Sequence, residues 1–491
     1  MDFETIIGLE VHAQLLTRSK MFCRCGADYV SAAPNNRVCP VCLGMPGVLP
    51  VINQQALEYA VMTALALNCA IPEYAKFDRK NYPYPDLMKG YQISQYDAPL
   101  GVKGWIDIEV EEEGGDKKRK RRIGITRVHL EEDAAKLIHR TNAEGESYSL
   151  VDVNRSGTPL MEIVSDPDMR SPEEARQYLV KLRSILQFLG VSSGNMEEGS
   201  FRCDANISTR TSGSNDSVKV EVKNMNSFKA VYRALEYEEE RQRKAIEAGE
   251  RLTQETRGWV EERGVTVSQR SKEYAHDYRY FPEPDLPPMV FSRQWVVELS
   301  TRLPELPEAR RDRFVADYGL SHYDASLLTA SKAMADFFES CLKLNKKVRV
   351  EKRAKVVSNW LLGEFTRLLH ATDTEINDAR VTPELLVEML VLIDEGTLSG
   401  AAAKTIFEEM FASGRRASEI VAEWGLTQIS DAQEIEGVVE RVIAANGQAA
   451  ADYRNGKEQA LKFLVGQVMR ETKGRADHAV VNELLKQRLG G

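Results

Sequence analysis

Residues 8–16 read GLEVHAQLL, and apolar and polar side chains alternate through them with a period of two. A strand buried on one side only writes that pattern. Leu9, Val11, Ala13 and Leu15 fall on one face, and Gly8, Glu10, His12 and Gln14 on the other. A solvated outer face accommodates Glu-x-His, and so does the wall of a site. The rest of the chain has to separate the two readings.

The alternation recurs. In FRCDANIS (201–208), Phe201, Cys203, Ala205 and Ile207 oppose Arg202, Asp204, Asn206 and Ser208; in VKVEVK (218–223), the three valines oppose Lys219, Glu221 and Lys223. WIDIEVE (105–111) alternates, and IGITRV resumes the pattern after EEEGGDKKRKRR, which predicts an antiparallel hairpin with a solvated tip. The basic run Lys117–Arg122 suits that tip, or contact with a phosphate backbone. In RVHLEEDAAKL (127–137), His129, Glu131 and Asp133 share a face while Glu132 points the other way. Helical patterns interrupt the strands at 52–68, 171–189 and 227–248. Ser171-Pro172-Glu173-Glu174 combines a capping hydroxyl, an early proline and acids beside the positive end of the helix dipole.

These segments predict a β-rich, antiparallel domain with inserted helices over 1–290. FPEPDLPP (281–288), with four prolines, cannot continue a helix or a central strand and marks a boundary. Beyond it the period becomes helical, giving a helical domain over 295–400 and a helical tail domain over 401–491. Thr382-Pro383-Glu384 opens one helix, and EGTLSG (395–400) breaks the run. In the tail, Leu461, Leu464, Val465 and Val468 share a face, Gly474 closes that helix, and Asp477 can cap the last one. Arg470, Lys473, Arg475, Lys486 and Arg488 suit a solvated helix surface or an RNA contact. The fold class expected is α+β.

A chain of 491 residues exceeds one ordinary domain, and 43% hydrophobic with 28% charged residues suits large cores in a water-soluble protein. No apolar run reaches the ~18–20 residues that span a membrane. MDFETIIGLE has neither a basic nor an apolar leader region, so a cytoplasmic location is expected. The net charge of −9 argues against non-specific coating of nucleic acid. Four of the seven cysteines cluster as C-x-C-x13-C-x2-C: Cys23, Cys25, Cys39 and Cys42. Four thiolates across a short loop favour a closed tetrahedral zinc site over reduced, unliganded cysteines. Cys69, Cys203 and Cys341 read as buried spectators.

If the polar faces adjoin, Glu10, His12, Glu131, Glu132, Asp204 and Glu221 converge. Such a crowd of carboxylates repels itself unless a cation sits within it. Oxygen donors with one imidazole suit magnesium or manganese. Two turn-rich stretches look built for an anion. RKNYPYPDLMKGYQISQYD (79–97) offers Lys80, Lys89, Tyr91, Gln92 and Ser94, and VNRSGTPLMEIVSDPD (153–168) offers Arg155, Ser156, Gly157 and Thr158. Neither a P-loop nor a dinucleotide-binding glycine motif is present. A metal cage beside anion-binding turns points to phosphoryl transfer, chemistry that needs chiefly positioning and charge neutralisation.

IGLEVHAQL, the 79–97 stretch, HLEEDAAKLIH, VDVNRSGTPLMEIVSDPD, FRCDANIS, EVKNMNSF and YRYFPEPDLPP occur in an order that resembles the B-subunit family of tRNA-dependent amidotransferases. GQVMRETKGRADHAVVNELLKQRL resembles that family's tail. The resemblance implies a β-rich cradle carrying the site, a helical domain and a tRNA-gripping tail. It implies ATP- and magnesium-dependent phosphorylation of the side chain on misacylated Glu-tRNA(Gln) or Asp-tRNA(Asn), then amidation by ammonia. It assigns Glu10, His12, Glu131, Glu132, Asp204 and Glu221 to the magnesium. Lys80, Lys89, Arg155 and Lys223 fall to ATP and the acyl phosphate, with Ser156 and Thr158 beside the nucleotide, and the four cysteines to zinc. The chain carries neither a Ser-Ser-Lys amidase segment nor a cysteine in a glycine-rich elbow. Ammonia is therefore expected from a partner. The resemblance gives that partner as an amidase (glutaminase), the A subunit, with a small C subunit clamping the pair. A metal-dependent hydrolase, which needs no ATP, and a non-catalytic tRNA-binding protein are the alternatives.

Overall fold

The computed structural model describes residues 2–111, 118–214, 217–271, 278–344, 348–425, 432–472, 476 and 478–490. Two compact units divide the chain, Met1–Pro307 and Glu308–Gly491.

The first unit is built on an eight-stranded sheet. Its strands in chain order are β1 (Phe3–Gln14), β2 (Gly101–Glu111), β3 (Lys118–Glu132), β4 (Pro159–Ser165), β5 (Phe201–Thr211), β6 (Val220–Lys223), β7 (Glu255–Val260) and β8 (Val265–Ser271). Three helices pack on it: α1 (Gln54–Ala66), α2 (Pro172–Leu189) and α3 (Phe228–Glu247). The strand order across the sheet is β8-β7-β6-β5-β1-β4-β3-β2. Neighbours are antiparallel except β6 and β7. A parallel pair needs a crossover, and α3 supplies it between them. The sheet is otherwise antiparallel, as expected.

Leu9, Val11 and Ala13 of β1 and Phe201, Cys203, Ala205 and Ile207 of β5 are buried in one core with the apolar faces of α1, α2 and α3. A one-residue slip of any strand would send its apolar set to the polar face, so the core fixes the register. Ser171 and Ser227 cap α2 and α3 through backbone N–H groups three residues on, each worth about 1 kcal/mol. Two residues of the basic run, Arg121 and Arg122, are committed to structure. Arg122 lies 3.6 Å over the Trp105 ring and bonds Asp107, while Arg121 reaches Glu174 at 2.7 Å and the Asp168 carbonyl at 2.7 Å. The hairpin tip, 112–117, lies outside the described residues.

FPEPDLPP does not end the first unit. Phe281–Pro282 pairs with Asp78–Asn81, and Met289–Val290 pairs with Tyr74–Ala75, as short strands at sheet edges where proline's missing N–H costs nothing. The following helix, Arg293–Thr301, buries Leu299 in the same core. In the second unit one core runs from Phe314 to Val421 and another from Ile435 to Leu489. The break at 395–400 is therefore a turn inside one core: Ser399 caps Gly400–Ser413, whose Ile406, Phe407 and Met410 pack with Phe365 and Leu386. Leu464, Val465 and Val468 are buried as their spacing predicts, with Leu461 packed against them. Gly474 and Asp477 lie outside the described residues. No helix among the described residues is long and apolar enough to cross a membrane.

Candidate active site

Pairing of β1 with β4, and of β4 with β3, lays His12, Glu162 and His129 in one row across the sheet, with Arg202 of β5 opposite His12. Glu131 stands two residues beyond His129 on the same face. His12 Nε2 lies 3.3 Å from Glu162 and 3.4 Å from Glu131, and His129 Nε2 lies 3.3 Å from Glu162. Donor atoms of His12, Glu131 and Glu162 all fall within 4.8 Å of one another. Glu131 is 3% exposed and accepts a hydrogen bond from Ser94 at 3.2 Å. Burial opposes ionisation of the Glu162 carboxyl, but His129 and His12 outweigh it and hold the acid well below the usual range. Burial likewise opposes the His12 imidazolium, and Glu162 and Glu131 overcome it, raising His12 to about 9. The cluster is one that demands a positive charge at its centre.

Lys80 comes to this cluster from the short strand Asp78–Asn81. Its ammonium sits 5.0 Å over the Tyr278 ring and 5.7 Å over that of Tyr82. Burial works against the charge, yet Glu131, the Tyr280 and Tyr82 phenols and Glu162 more than offset it and keep the lysine ionised.

The six expected magnesium ligands do not form one cage. Glu10 stands opposite Asp204, one row along from His12, and accepts a hydrogen bond from Asn206 at 2.9 Å. Lys223 bonds Asp204 at 2.7 Å and lies 3.6 Å from Glu221, which also accepts from Thr256 at 2.8 Å. This half of the face carries its own cation. Glu132 is a correction of a different kind: strand alternation turns it away from Glu131, and it accepts from Lys89 and the Ile93 backbone N–H. The anion-binding turn also differs from expectation. Arg155 spends its guanidinium on the Ala134 and Ala135 carbonyls, both at 2.9 Å, and Ser156 and Thr158 are buried. The backbone of that turn closes against β3 instead, through Gly157 N–H to the Asp133 carbonyl at 2.8 Å.

Glu162 is the member that sequence reasoning missed. It is the lone charge in PLMEIVS, a strand otherwise apolar or small, and an isolated carboxylate in a buried strand was the available signal.

The four Sγ atoms of Cys23, Cys25, Cys39 and Cys42 also lie within 4.8 Å of one another, with Cys39 and Cys42 at 3.9 Å. Tetrahedral Zn–S bonds of about 2.3 Å put sulfurs about 3.8 Å apart, so the donor set fits zinc. Gly44 adopts φ +65° where the knuckle turns, and the Cys39 N–H points at Cys42 Sγ from 3.1 Å. Hydrogen bonding from Cys23 against the opposing effect of burial brings the Cys42 thiol down to about 5. Cys69, Cys203 and Cys341 are buried, and burial pushes the Cys69 thiol up to about 12.

A sheet that converges an imidazole and two carboxylates near a half-buried lysine, in a unit that also carries a four-thiolate knuckle, offers the donor groups of a metal-dependent site. Comparison with known families sharpens this. The profile described as the GatB/GatE catalytic domain matches residues 5–297, and that described as the GatB domain matches residues 336–489. The chain is similar to the B subunit of the aspartyl/glutamyl-tRNA(Asn/Gln) amidotransferase of Dehalococcoides mccartyi, 56% identical over 99% of each chain. It is also similar to the same subunit from Carboxydothermus hydrogenoformans, 55% identical over 99% of each, and from Moorella thermoacetica, 55% identical over 100% of each. The chain belongs to this amidotransferase B-subunit family.

Proposed function

We propose that the chain is the B subunit of a glutamine-dependent, ATP-using ligase that amidates the side chain of Glu-tRNA(Gln) or Asp-tRNA(Asn). The observation that carries the site assignment is the convergence of His12, Glu131 and Glu162 from three strands. In the first step a carboxylate oxygen of the esterified amino acid attacks the γ-phosphorus of ATP; the bond to the β-phosphate oxygen breaks, giving an acyl phosphate and ADP. Ammonia then attacks the acyl carbon, loses a proton, and phosphate departs with the C–O bonding pair. Both steps concentrate negative charge on non-bridging oxygens, so positioned cations matter more than any covalent role for the protein.

His12, Glu131 and Glu162 are the residues that would hold magnesium, a donor set that leaves positions for phosphate and water. Magnesium bound there supplies neutralisation of the phosphate charge. Lys80, set beside the Tyr82 and Tyr278 rings and kept ionised, holds a second positive charge near this place. Lys223 orients the Asp204 and Glu221 carboxylates, and Glu10 with Asn206 borders the reacting end of the row. Zinc on the four cysteines fills all four tetrahedral positions, so its part is structural. The chain lacks a glutaminase nucleophile. Its ammonia comes from the amidase partner, held in place by the small third subunit, and the cationic tail meets the tRNA.

The test is amide formation on both misacylated tRNAs by the assembled enzyme, with ammonia supplied directly, comparing wild type with Glu162→Gln. Retained tRNA binding with ATP-dependent phosphate release and amide both lost is the expected result. Full activity in Glu162→Gln would overturn the site, and amide formation independent of ATP would overturn the reaction.

A further inference from the structure

Lys20 is 1% exposed, and nothing in the reaction above uses it. Its Nζ lies 2.7 Å from the Arg37 carbonyl, 3.5 Å from the Val153 carbonyl and 3.7 Å from Cys42 Sγ. Its stem passes beneath Gly157. A Cβ built on that glycine would stand 3.5 Å from Lys20 Cδ and 3.6 Å from Cys42 Cβ, and its φ is +81°. A Cβ there would make ordinary contacts, so it is the positive φ that holds residue 157 to glycine. A lysine sealed this completely needs an anion to justify the lost hydration.

Zinc with four thiolates carries a net charge of −2, most of it on sulfur. Among the described residues the Cys39 N–H reaches Cys42 Sγ at 3.1 Å and the Cys25 N–H bonds the Cys23 sulfur, and two amides do not balance that charge. We propose that Lys20 is the built-in counter-cation of the four-cysteine metal site, and that it ties this site to the strand bearing Glu131. The proposal rests on the zinc reading given above. Two kinds of contact make the connection. The ammonium grips the knuckle through Arg37 and Cys42 and the 153–158 turn through Val153. The backbone continues the path: Met21 N–H to the Gly157 carbonyl at 2.7 Å, Gly157 N–H to the Asp133 carbonyl at 2.8 Å, and Asp133 N–H to the Thr158 carbonyl at 2.9 Å. Asp133 directly follows Glu131 and Glu132. A knuckle held in this way keeps the end of β3 in place, and a knuckle without its counter-cation releases its metal sooner.

The competing reading makes Lys20 a clamp on two carbonyls, indifferent to metal. The experiment uses the assembled enzyme, purified under reducing conditions. It measures zinc content and the rate of zinc transfer to a chromogenic chelator in wild type, Lys20→Met and Lys20→Arg. Wild type should hold one zinc per chain. Lys20→Met should lose it about 10- to 100-fold faster, the usual scale for removing a partner of a metal ligand, while Lys20→Arg stays within a few-fold of wild type. Absence of zinc from wild type would overturn the zinc reading itself. Zinc present but leaving Lys20→Met at the wild-type rate, or leaving both variants equally fast, would overturn the counter-cation. If Lys20→Met fails to assemble, wild type decides by lysine acylation read by mass spectrometry. Lys20 should be protected with zinc bound and labelled after its withdrawal; protection that persists without zinc overturns the proposal.

Discussion

The two halves of the polar sheet face solve the same electrostatic problem in opposite ways. Around Glu10, Asp204 and Glu221 the protein supplies the cation from within the sheet, since Lys223 reaches both Asp204 and Glu221. Around Glu131 and Glu162 it supplies two imidazoles, and His12 Nε2 reaches both carboxylates. An imidazole is a cation only while it keeps its proton, and it gives that proton up to become a ligand. The first half is compensated by a fixed charge alone, whereas the second sets two imidazoles beside the fixed charge of Lys80, which on the function proposed above leaves His12 to trade its proton for a metal. The lesson is that acid content alone does not locate a metal site. The identity of the base among the acids does.

The comparison breaks most visibly at Glu162. If the second half holds the reactive cation, Glu162→Gln should lower amide formation by at least about a hundredfold and shift magnesium dependence to higher concentration. Magnesium titration of single-turnover phosphorylation checks it, and an unshifted magnesium curve would place the ion elsewhere. A carboxylate compensated by arginines in the second unit extends the contrast to folding. Glu339 is held at about 2, against burial, by Arg313, Arg310 and Tyr318. Its folded value lies below its ordinary one, so its stabilisation is present in full above pH 4.5 and is lost as pH falls through 2. It amounts to at most about 3 kcal/mol. Glu339→Gln should destabilise the protein at neutral pH and flatten the acid limb of its unfolding curve.

Within the sheet, Lys223→Met should cost about 1–3 kcal/mol by stranding Asp204 and Glu221. Adding Asp204→Asn should recover part of the loss, a coupling that a denaturant double-mutant cycle reads directly. Additive losses would mean that Lys223 does not compensate this half. The smallest effect belongs to the basic run. Arg122→Ala removes one cation–π contact and one exposed ion pair and should leave the unfolding midpoint close to that of wild type and affinity for tRNA unchanged. A clear drop in tRNA affinity would return this stretch to the phosphate-contact reading.

Much of the molecule was legible in advance because its signals are short-ranged. Ser171 and Thr382 cap the helices their spacing announces, and 8–16 is the half-buried strand its alternation announces. Errors gathered where a local signal has two uses. Proline forbids a central strand but permits an edge, so FPEPDLPP was folded into the first unit. A turn breaks a helix without breaking a core, so EGTLSG divides nothing. Arg155, Ser156 and Thr158 have the composition of an anion-binding turn, but the Ala134 and Ala135 carbonyls take the guanidinium and the two hydroxyl residues are buried.

The sequence by itself determined strands β1, β2, β3, β5 and β6 with their polar faces, several of the helices and the four-cysteine knuckle, all written within spans of about twenty residues or fewer. Only the tertiary structure decided which polar faces meet. Strand order placed β4 between β1 and β3, and that insertion made Glu162 the partner of both His12 and His129. Alternation past Glu131 sent Glu132 to the opposite face, and the cross-strand reach of Lys223 closed off the other acids. The decisive pairing, His12 with Glu131 and Glu162, joins residues more than a hundred positions apart. Such contacts are selected by burial of the whole apolar face at once, so no single segment records them.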